Sequence, residues 1–243
     1  MSSISRLLGM FFRLIYDFIS SIIPNEPSSI SYFAIAIIIS TIIIKLATLP
    51  VSISMMKNQK KMAEIQPEVK ELQRKYGHDQ RTLALKQQQL YKEKNVSLTS
   101  GCLPMIIQLV VLIAFYGIFR EPVKYIFTNQ QEFDSINKSF LFISDLSQID
   151  KTMILGILAA VTTFLYSYVM SKNPGGAQQN EQAQAMQRNM MYIMPLLILI
   201  SARNFQAAVA LYWVVSNLFT IVQQLITNKI VEREVAEEMK WVM

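Results

Sequence analysis

An apolar run occupies residues 31–56 and reads SYFAIAIIISTIIIKLATLPVSISMM. A helix needs about 20 mostly apolar residues to cross a bilayer, so this run is long enough to span one. It nevertheless contains Lys45 close to its middle. A charge at that depth costs about 2.5–3.5 kcal/mol on insertion scales. The run therefore predicts a membrane-spanning helix whose charge has a function.

The polar residues of this run share one face of the predicted helix. Thr41, Lys45, Thr48 and Ser52 follow the spacing i, i+4, i+7, i+11. Snorkelling of the lysine is one alternative, but Lys45 lies about 18 Å along the helix from Lys57, which is too far for easy snorkelling. The predicted spans contain no Asp or Glu. We therefore expect a water-filled cationic site inside the membrane, although the threonines on this face could serve only in packing.

The composition places the chain among polytopic membrane proteins. Of its 243 residues, 52% are hydrophobic and 16% are charged, whereas a soluble domain carries about a quarter charged residues. The single cysteine, Cys102, excludes an intramolecular disulfide, and with the single histidine, His78, it leaves too few ligands for a zinc or Cys/His site. A phosphate-binding G-x-x-x-x-G-K-[ST] loop is also missing. We expect no metal, no cofactor, no catalytic residue and no enzymatic activity.

The hydropathy pattern predicts an all-α protein with five transmembrane helices. They are placed at residues 30–55, 102–120, 151–171, 188–204 and 207–228. The apolar part of the fourth span is short, giving only about 20 Å of helix against a hydrocarbon core of about 30 Å. The third span carries the polar residues Thr162 and Tyr166.

The charges of the connecting loops predict the orientation of the spans. Residues 57–100 contain ten basic and five acidic residues, whereas residues 120–151 carry a net charge of −1. By the positive-inside rule the first segment is cytoplasmic and the second is outside, so the N-terminus is outside and the C-terminus is cytoplasmic. Within the cytoplasmic segment, 57–99, we predict a helical hairpin with helices at 65–76 and 79–94, with Gly77 as C-cap and Asp79 as N-cap. Its surface could be a solvated face near the membrane or a docking site for a partner.

Residues 1–27 are predicted to form an amphipathic helix and a linker, and residues 28–243 the core of the protein. A signal peptide is the alternative, but Arg13 and Asp17 interrupt the apolar run and no A-x-A-like cleavage site follows. An apolar face is instead predicted to place this helix in the membrane interface. That face comprises Ile4, Leu7, Leu8, Phe11, Ile15, Phe18 and Ile22.

The fifth predicted span carries a second polar stripe. Ser216, Thr220, Gln223 and Thr227 repeat the spacing of the first span. Tyr212, Trp213, Asn217 and Gln224 widen this stripe. Hydrogen bonding between membrane helices is the ordinary role of such residues. Alternatively, the two polar faces line a common cavity.

Four motifs resemble those of the YidC/Oxa/Alb membrane protein insertases. They are IIIKLATLP at 42–50, EIQPEVKELQRKYGHD at 64–79, SGCLPMIIQLVVLIAFYGIFR at 100–120 and ALYWVVSNLFTIVQQ at 210–224. The resemblance covers nearly the whole chain in the order and spacing of the family, and it is closest to the compact Gram-positive form.

This resemblance implies a bacterial plasma-membrane protein that inserts other membrane proteins without hydrolysing nucleotides. In the family a basic residue of the first span lies in a hydrophilic groove, which attracts acidic or polar parts of a substrate before the substrate slides along the third and fifth spans. On this basis the groove is expected to be lined by Lys45, Thr41, Thr48, Gln108, Thr162, Tyr166, Trp213, Ser216, Asn217 and Thr220.

Two positions depart from the family pattern. Lys45 stands where the family usually has arginine, which offers a fork of donors rather than a single ammonium group. The sequence Gln206-Ala207-Ala208 stands where P-A-G is common, which predicts a different turn before the fifth span.

The resemblance also implies the partners. They are nascent membrane proteins and the lipid bilayer, with the ribosome and a Sec-type translocon as further candidates, and no specific nucleic-acid sequence. Two other functions stay open at this point. One is a small-solute or ion transporter with Lys45 as an anion site, for which the expected inverted repeats are not apparent. The other is a non-catalytic scaffold for membrane assembly.

Overall fold

A computed structural model describes residues 2–97, 103–172 and 181–240, so Cys102 and the polar stretch at 173–180 lie outside it. The described residues form helices and contain no β-strand, as the sequence predicts. The helices are α1 (Ser2–Ile22), α2 (Tyr32–Glu64), α3 (Gln66–Tyr76), α4 (Gln80–Glu93), α5 (Leu103–Arg120), α6 (Pro122–Tyr125), α7 (Gln130–Ser135), α8 (Ile154–Ser171), α9 (Glu181–Ser201) and α10 (Ala207–Lys240).

Three of these helices are long and apolar enough to cross a membrane. They lie at Tyr32–Glu64, Ile154–Ser171 and Ala207–Val235. The other two predicted spans correspond to α5 and α9, in which the shorter stretches Ile106–Arg120 and Arg188–Ser201 are apolar. Five spans therefore stay a prediction.

The helices contribute to two compact units. The first unit comprises residues 2–47, 107–166 and 193–220, and the second comprises residues 48–97, 103–106, 167–172, 181–192 and 221–240. α2 continues through Pro50, which lies inside it.

The core of the first unit is built around phenylalanine rings. Phe12 of α1 meets Phe33 of α2 edge to face, with ring centroids 5.5 Å apart, and Phe119 of α5 lies 5.7 Å from Phe12 and 5.8 Å from Phe33. Edge-to-face pairs add about 0.5–1.5 kcal/mol each to the burial of the rings. Since the three rings come from three helices, they hold α1, α2 and α5 together.

One face of α1 is therefore part of this core. Phe12, Ile15 and Ile19 are buried in it, whereas Ile4 and Phe18 are exposed. Of the seven residues assigned to the apolar face from the sequence, only Ile15 is buried. α1 has two apolar faces, one buried and one exposed, and the amphipathic pattern alone does not separate them. The exposed apolar face comprises Ile4, Leu7, Met10, Leu14, Phe18 and Ile22.

The loop between α7 and α8 closes the first unit against the start of α10. The backbone N–H groups of Ala207 and Ala208 donate to the carbonyl oxygens of Gln148 and Leu146, each at 2.8 Å. Gln206 also pairs with Ile149 in an isolated β-bridge. The chain therefore enters α10 from an extended segment that is hydrogen-bonded to this loop.

A charged contact joins α1 to α7 at the surface of the first unit. Nη1 of Arg13 lies 2.5 Å from Oε1 of Glu132, and Oε2 of Glu132 accepts from the backbone N–H of Thr128 at 2.8 Å. Asp17 also pairs with Arg13, at 2.8 Å. The Thr128 N–H and the Arg13 guanidinium hold the pKa of Glu132 below its ordinary value.

We expect Glu132→Gln to lower the free energy of unfolding by about 1 kcal/mol at neutral pH, because it removes a half-exposed ion pair. Because the folded pKa of Glu132 is depressed, the stabilisation is present above the unfolded pKa of about 4.3 and is lost as the pH falls through the folded value. Thermal unfolding in detergent between pH 3 and 7 measures this. The difference between the two chains should shrink below about pH 4, and an equal difference at pH 3 and pH 7 would contradict the assignment.

The second unit has its own apolar cluster. Met56, Ile65 and Val69 pack with Tyr91 and with Val231 of α10. Ion pairs run along the same part of the unit, joining Lys57 to Glu234 at 2.7 Å and Lys60 to Glu232 at 2.6 Å. The charged end of α10 is therefore fixed to the charged end of α2.

α3 and α4 pack against each other in this unit. The carboxylate of Asp79 accepts from the backbone N–H groups of Arg81 and Thr82, each at 3.1 Å, and from the Thr82 hydroxyl at 2.6 Å. This confirms Asp79 as the N-cap of α4, and these hydrogen bonds lower its pKa.

Candidate functional site

Lys45 lies half-buried on α2 in the first unit. Its ammonium group donates to Oε1 of Gln108 at 3.0 Å and to Oγ1 of Thr220 at 3.1 Å. These two partners, from α5 and α10, are neutral. Both partners therefore provide a polar environment for the lysine, and neither of them neutralises its charge.

Gln108 connects the lysine to α10. Its amide oxygen accepts from Lys45 and from the Ser216 hydroxyl, at 3.0 and 3.3 Å. Its amide nitrogen donates to the Tyr212 hydroxyl at 3.0 Å. Because donors lie at the oxygen and an acceptor lies at the nitrogen, these contacts fix which way the amide faces.

Tyr212 anchors this network in the core. Its side chain is only 1% exposed and stacks on Phe115, with ring centroids 4.4 Å apart. Stacked aromatic pairs have a defined geometry, so the hydroxyl is presented to Gln108 in a fixed position.

The hydroxyl oxygen of Thr220 is oriented to accept a hydrogen bond from Lys45. Its hydroxyl donates to the carbonyl oxygen of Ser216, one turn earlier in α10, at 2.8 Å. A hydroxyl has a single proton, so the oxygen retains lone pairs for the ammonium group of Lys45. We call Lys45, Gln108, Tyr212, Ser216 and Thr220 the lysine cluster.

A second polar group joins α8 to α10 in the same unit. Nε1 of Trp213 donates to Oγ1 of Thr163 at 2.8 Å. The side-chain amide of Asn217 lies 3.2 Å from the Thr162 hydroxyl oxygen and 2.9 Å from that of Thr163. Thr162, Thr163 and Asn217 are buried. This α8–α10 group has the character of hydrogen bonding between membrane helices.

The polar stripe of α10 is thus divided. Ser216 and Thr220 belong to the lysine cluster, whereas Trp213 and Asn217 form hydrogen bonds with α8.

The other groove residues expected from the sequence are Thr41 and Thr48 of α2 and Tyr166 of α8. Thr41 is 1% exposed and donates to the carbonyl oxygen of Ile37 in its own helix at 2.6 Å. Thr48 belongs to the second unit, where its carbonyl oxygen accepts from the Ser52 hydroxyl at 3.1 Å. Tyr166 is half-buried on α8. The hydroxyls of Thr41 and Ser52 thus each donate to the carbonyl oxygen one turn earlier in α2.

Two members of these groups, Tyr212 and Thr163, were not among the expected groove residues. Their positions in the sequence could have identified them. Tyr212 lies four residues before Ser216, which is one helical turn, and Thr163 directly follows Thr162.

The chemistry available in the lysine cluster is binding. It offers one cation with hydroxyl and amide groups around it, which suits a carboxylate or an exposed backbone carbonyl. The described residues contain no group of three or more His, Cys, Asp or Glu that could hold a metal ion.

Comparison with known proteins identifies relatives over most of the chain. Residues 26–234 match the model of the family described as 60Kd inner membrane protein. The chain is 36% identical over 238 residues to the membrane protein insertase YidC of Clostridium tetani, covering 98% of this chain and 99% of that one. It is 35% identical to the protein of the same name from Clostridium perfringens, covering 90% and 87% of the two chains. The corresponding protein of Fusobacterium nucleatum is 29% identical, with 91% and 98% covered.

Proposed function

This chain belongs to the 60Kd inner membrane protein family, and on that premise we propose that it is a membrane protein insertase of the YidC type. In this proposal it receives hydrophobic segments of nascent proteins and passes them into the plasma membrane. The observation that supports this function most directly is the lysine cluster, because it places a cation together with the polar side chains of Gln108 and Thr220 in apolar stretches of α2, α5 and α10.

The proposed mechanism needs no covalent chemistry and no nucleotide hydrolysis. A polar stretch of substrate cannot satisfy its backbone hydrogen bonds in hydrocarbon, which makes crossing costly. The lysine cluster lowers that cost by attracting an acidic or polar part of the substrate. Transfer is then driven by burial of substrate side chains in lipid, at about 0.8 kcal/mol per methylene group.

The apolar run of α9 supports a shortened crossing distance. It covers residues 190–202, or about 20 Å of helix, against a hydrocarbon core of about 30 Å. A span of this length is accommodated by local thinning of the bilayer. We therefore propose that α5 and α9 also cross the membrane, which gives the five spans expected from the sequence.

The topology that accompanies this function is also a proposal. The N-terminus lies outside with α1 in the interface, the pair α3–α4 forms a cytoplasmic hairpin, and the C-terminus is cytoplasmic. Residues 1–27 then form the interfacial helix and linker, and residues 28–243 the insertase core. The supporting observations are the basic excess of residues 57–100 and the exposed apolar face of α1.

The groove in this proposal comprises the lysine cluster together with Thr41, Thr162, Tyr166, Trp213 and Asn217, all of which belong to the first unit. Its substrates are nascent membrane proteins, and the lipid bilayer is the second partner. The ribosome and a Sec-type translocon are proposed as further partners on the strength of the family alone.

Site-specific photo-crosslinking tests the proposed function. A photoreactive residue at Tyr166 or at Thr220, both half-buried, should crosslink to a radiolabelled nascent single-span protein during insertion into vesicles. A matched probe at Leu14, on the exposed apolar face of α1, serves as control and should give fewer substrate adducts. Adducts with lipid alone at the two groove positions would contradict an insertase.

A further inference from the structure

A tight turn in the loop between α7 and α8 presents two large apolar side chains outwards. The backbone N–H of Phe140 donates to the carbonyl oxygen of Ile143 at 2.8 Å, and the reverse hydrogen bond measures 2.9 Å. Between them, Leu141 is 55% exposed and Phe142 is 82% exposed. Ile143, the next residue, is buried in the core, so the turn is firmly attached. We call Leu141 and Phe142 the apolar tip.

The backbone of the tip is strained. Leu141 has φ 51°, in the left-handed region that glycine and asparagine adopt far more readily than a branched residue. Burial of the leucine does not offset this strain, because more than half of the side chain is exposed. A strained conformation that presents an apolar side chain outwards is a reason to look for a function.

Backbone hydrogen bonds place the tip beside the entrance to the first membrane-spanning helix. The N–H of Leu141 donates to the carbonyl oxygen of Ser29 at 2.6 Å, and the N–H of Ser31 donates to that of Ser139 at 3.0 Å. α2 begins at the next residue, Tyr32. The tip therefore lies beside the N-terminal end of α2.

The end of α1 also lies beside the start of α2. The hydroxyl of Tyr32 donates to the carbonyl oxygen of Ile23, which directly follows α1, at 2.7 Å. Phe18 and Ile22 of the last turns of α1 are exposed. Two separate segments thus expose apolar side chains around the start of α2.

We propose that the apolar tip inserts into the boundary between lipid headgroups and acyl chains at the N-terminal end of α2. Phenylalanine and leucine side chains are favoured at this boundary, where they leave water without entering the centre of the bilayer. A rigid tip at this position fixes the level of the loop and of the helix entrance relative to the membrane. The inference depends on α2 spanning the membrane and is independent of the insertase function.

Collision measurements on nitroxide spin labels test the proposal. Phe142→Cys is introduced into a Cys102→Ser chain, and the new cysteine is spin-labelled. The labelled protein is reconstituted in lipid nanodiscs. The collision rates of the label with oxygen and with the water-soluble nickel complex NiEDDA are then compared. At position 142 collisions with oxygen should exceed those with NiEDDA. The control is the same label at position 131, where Gln131 is an exposed polar residue of α7 in the same unit. There the share of collisions with NiEDDA should be larger.

A second chain keeps Phe142 and carries the label at Ser144, which is also exposed. Adding Phe142→Asp to that chain should raise the NiEDDA collision rate at Ser144 several-fold, because the tip leaves the membrane. A label at position 142 that collides with NiEDDA as often as the one at Gln131 would overturn the proposal, and so would a rate at Ser144 that Phe142→Asp leaves unchanged.

Discussion

Lys45→Glu should reduce the insertion of single-span substrates with acidic translocated tails by about tenfold or more, which corresponds to a loss of about 1.4 kcal/mol of attraction. In the original chain the oxygen atoms of Gln108 and Thr220 accept hydrogen bonds from Lys45. The change places a carboxylate beside these oxygen atoms instead of a cation. The new carboxylate repels both these oxygens and the substrate. The measurement is complementation of a depleted strain together with insertion into vesicles.

Two further chains make this result specific. Lys45→Arg keeps the charge and should retain most of the activity, although a guanidinium group requires a different arrangement around Gln108. Lys86→Glu is a charge reversal at an exposed position of α4 and should have little effect. If the Lys45→Glu chain inserts acidic-tailed substrates as well as the original chain, the lysine cluster is not the receiving site.

Gly9→Ala should lower the free energy of unfolding by roughly 2–3 kcal/mol, through overpacking at a backbone contact. A Cβ atom at Gly9 would overlap the carbonyl group of Tyr125 in α6. Backbone cannot move aside as a flexible side chain can, so α1 must shift, and Phe12 then loses its contacts with Phe33 and Phe119. Thermal unfolding in detergent and the hydrogen-exchange protection of α1 measure the two effects.

Gly117→Ala is the matched control, because it adds the same methyl group where α5 approaches α1. There the new Cβ would lie 3.0 Å from the hydroxyl oxygen of Ser5, which can rotate away. We expect a change of roughly 0.5 kcal/mol or less, as for a substitution outside the main destabilising mechanisms. Unchanged stability and unchanged protection of α1 in the Gly9→Ala chain would show that α1 is not held by this contact.

Local features of the fold follow from local sequence. The apolar run around Lys45 predicts the helix that becomes α2, and Asp79 predicts the start of α4 through the hydrogen bonds that an N-cap makes with nearby N–H groups. Both depend on residues close together in the chain. For the same reason the all-helical class and the identity of Lys45 as the distinctive charge could be predicted from sequence.

The partners of that charge could be determined only by the tertiary structure. Periodicity places Thr41 and Thr48 on the face of Lys45, yet the lysine donates to Gln108 and Thr220, which lie 63 and 175 residues away in the chain. Thr41 instead bonds to its own helix. A helical period specifies which residues share a face, but which helix that face meets is decided by packing.

The division of α10 has the same cause. Its sequence shows one broad polar stripe, and the approach of α5 on one side and of α8 on the other assigns Ser216 to the lysine cluster and Asn217 to the α8–α10 group. The sequence by itself determined the all-helical fold class, the class of protein and the charge at Lys45, because these depend on composition and on near neighbours. The hydrogen-bonding partners of Lys45 and the two roles of α10 depend on contacts between distant segments, and these exist only once the helices are packed together.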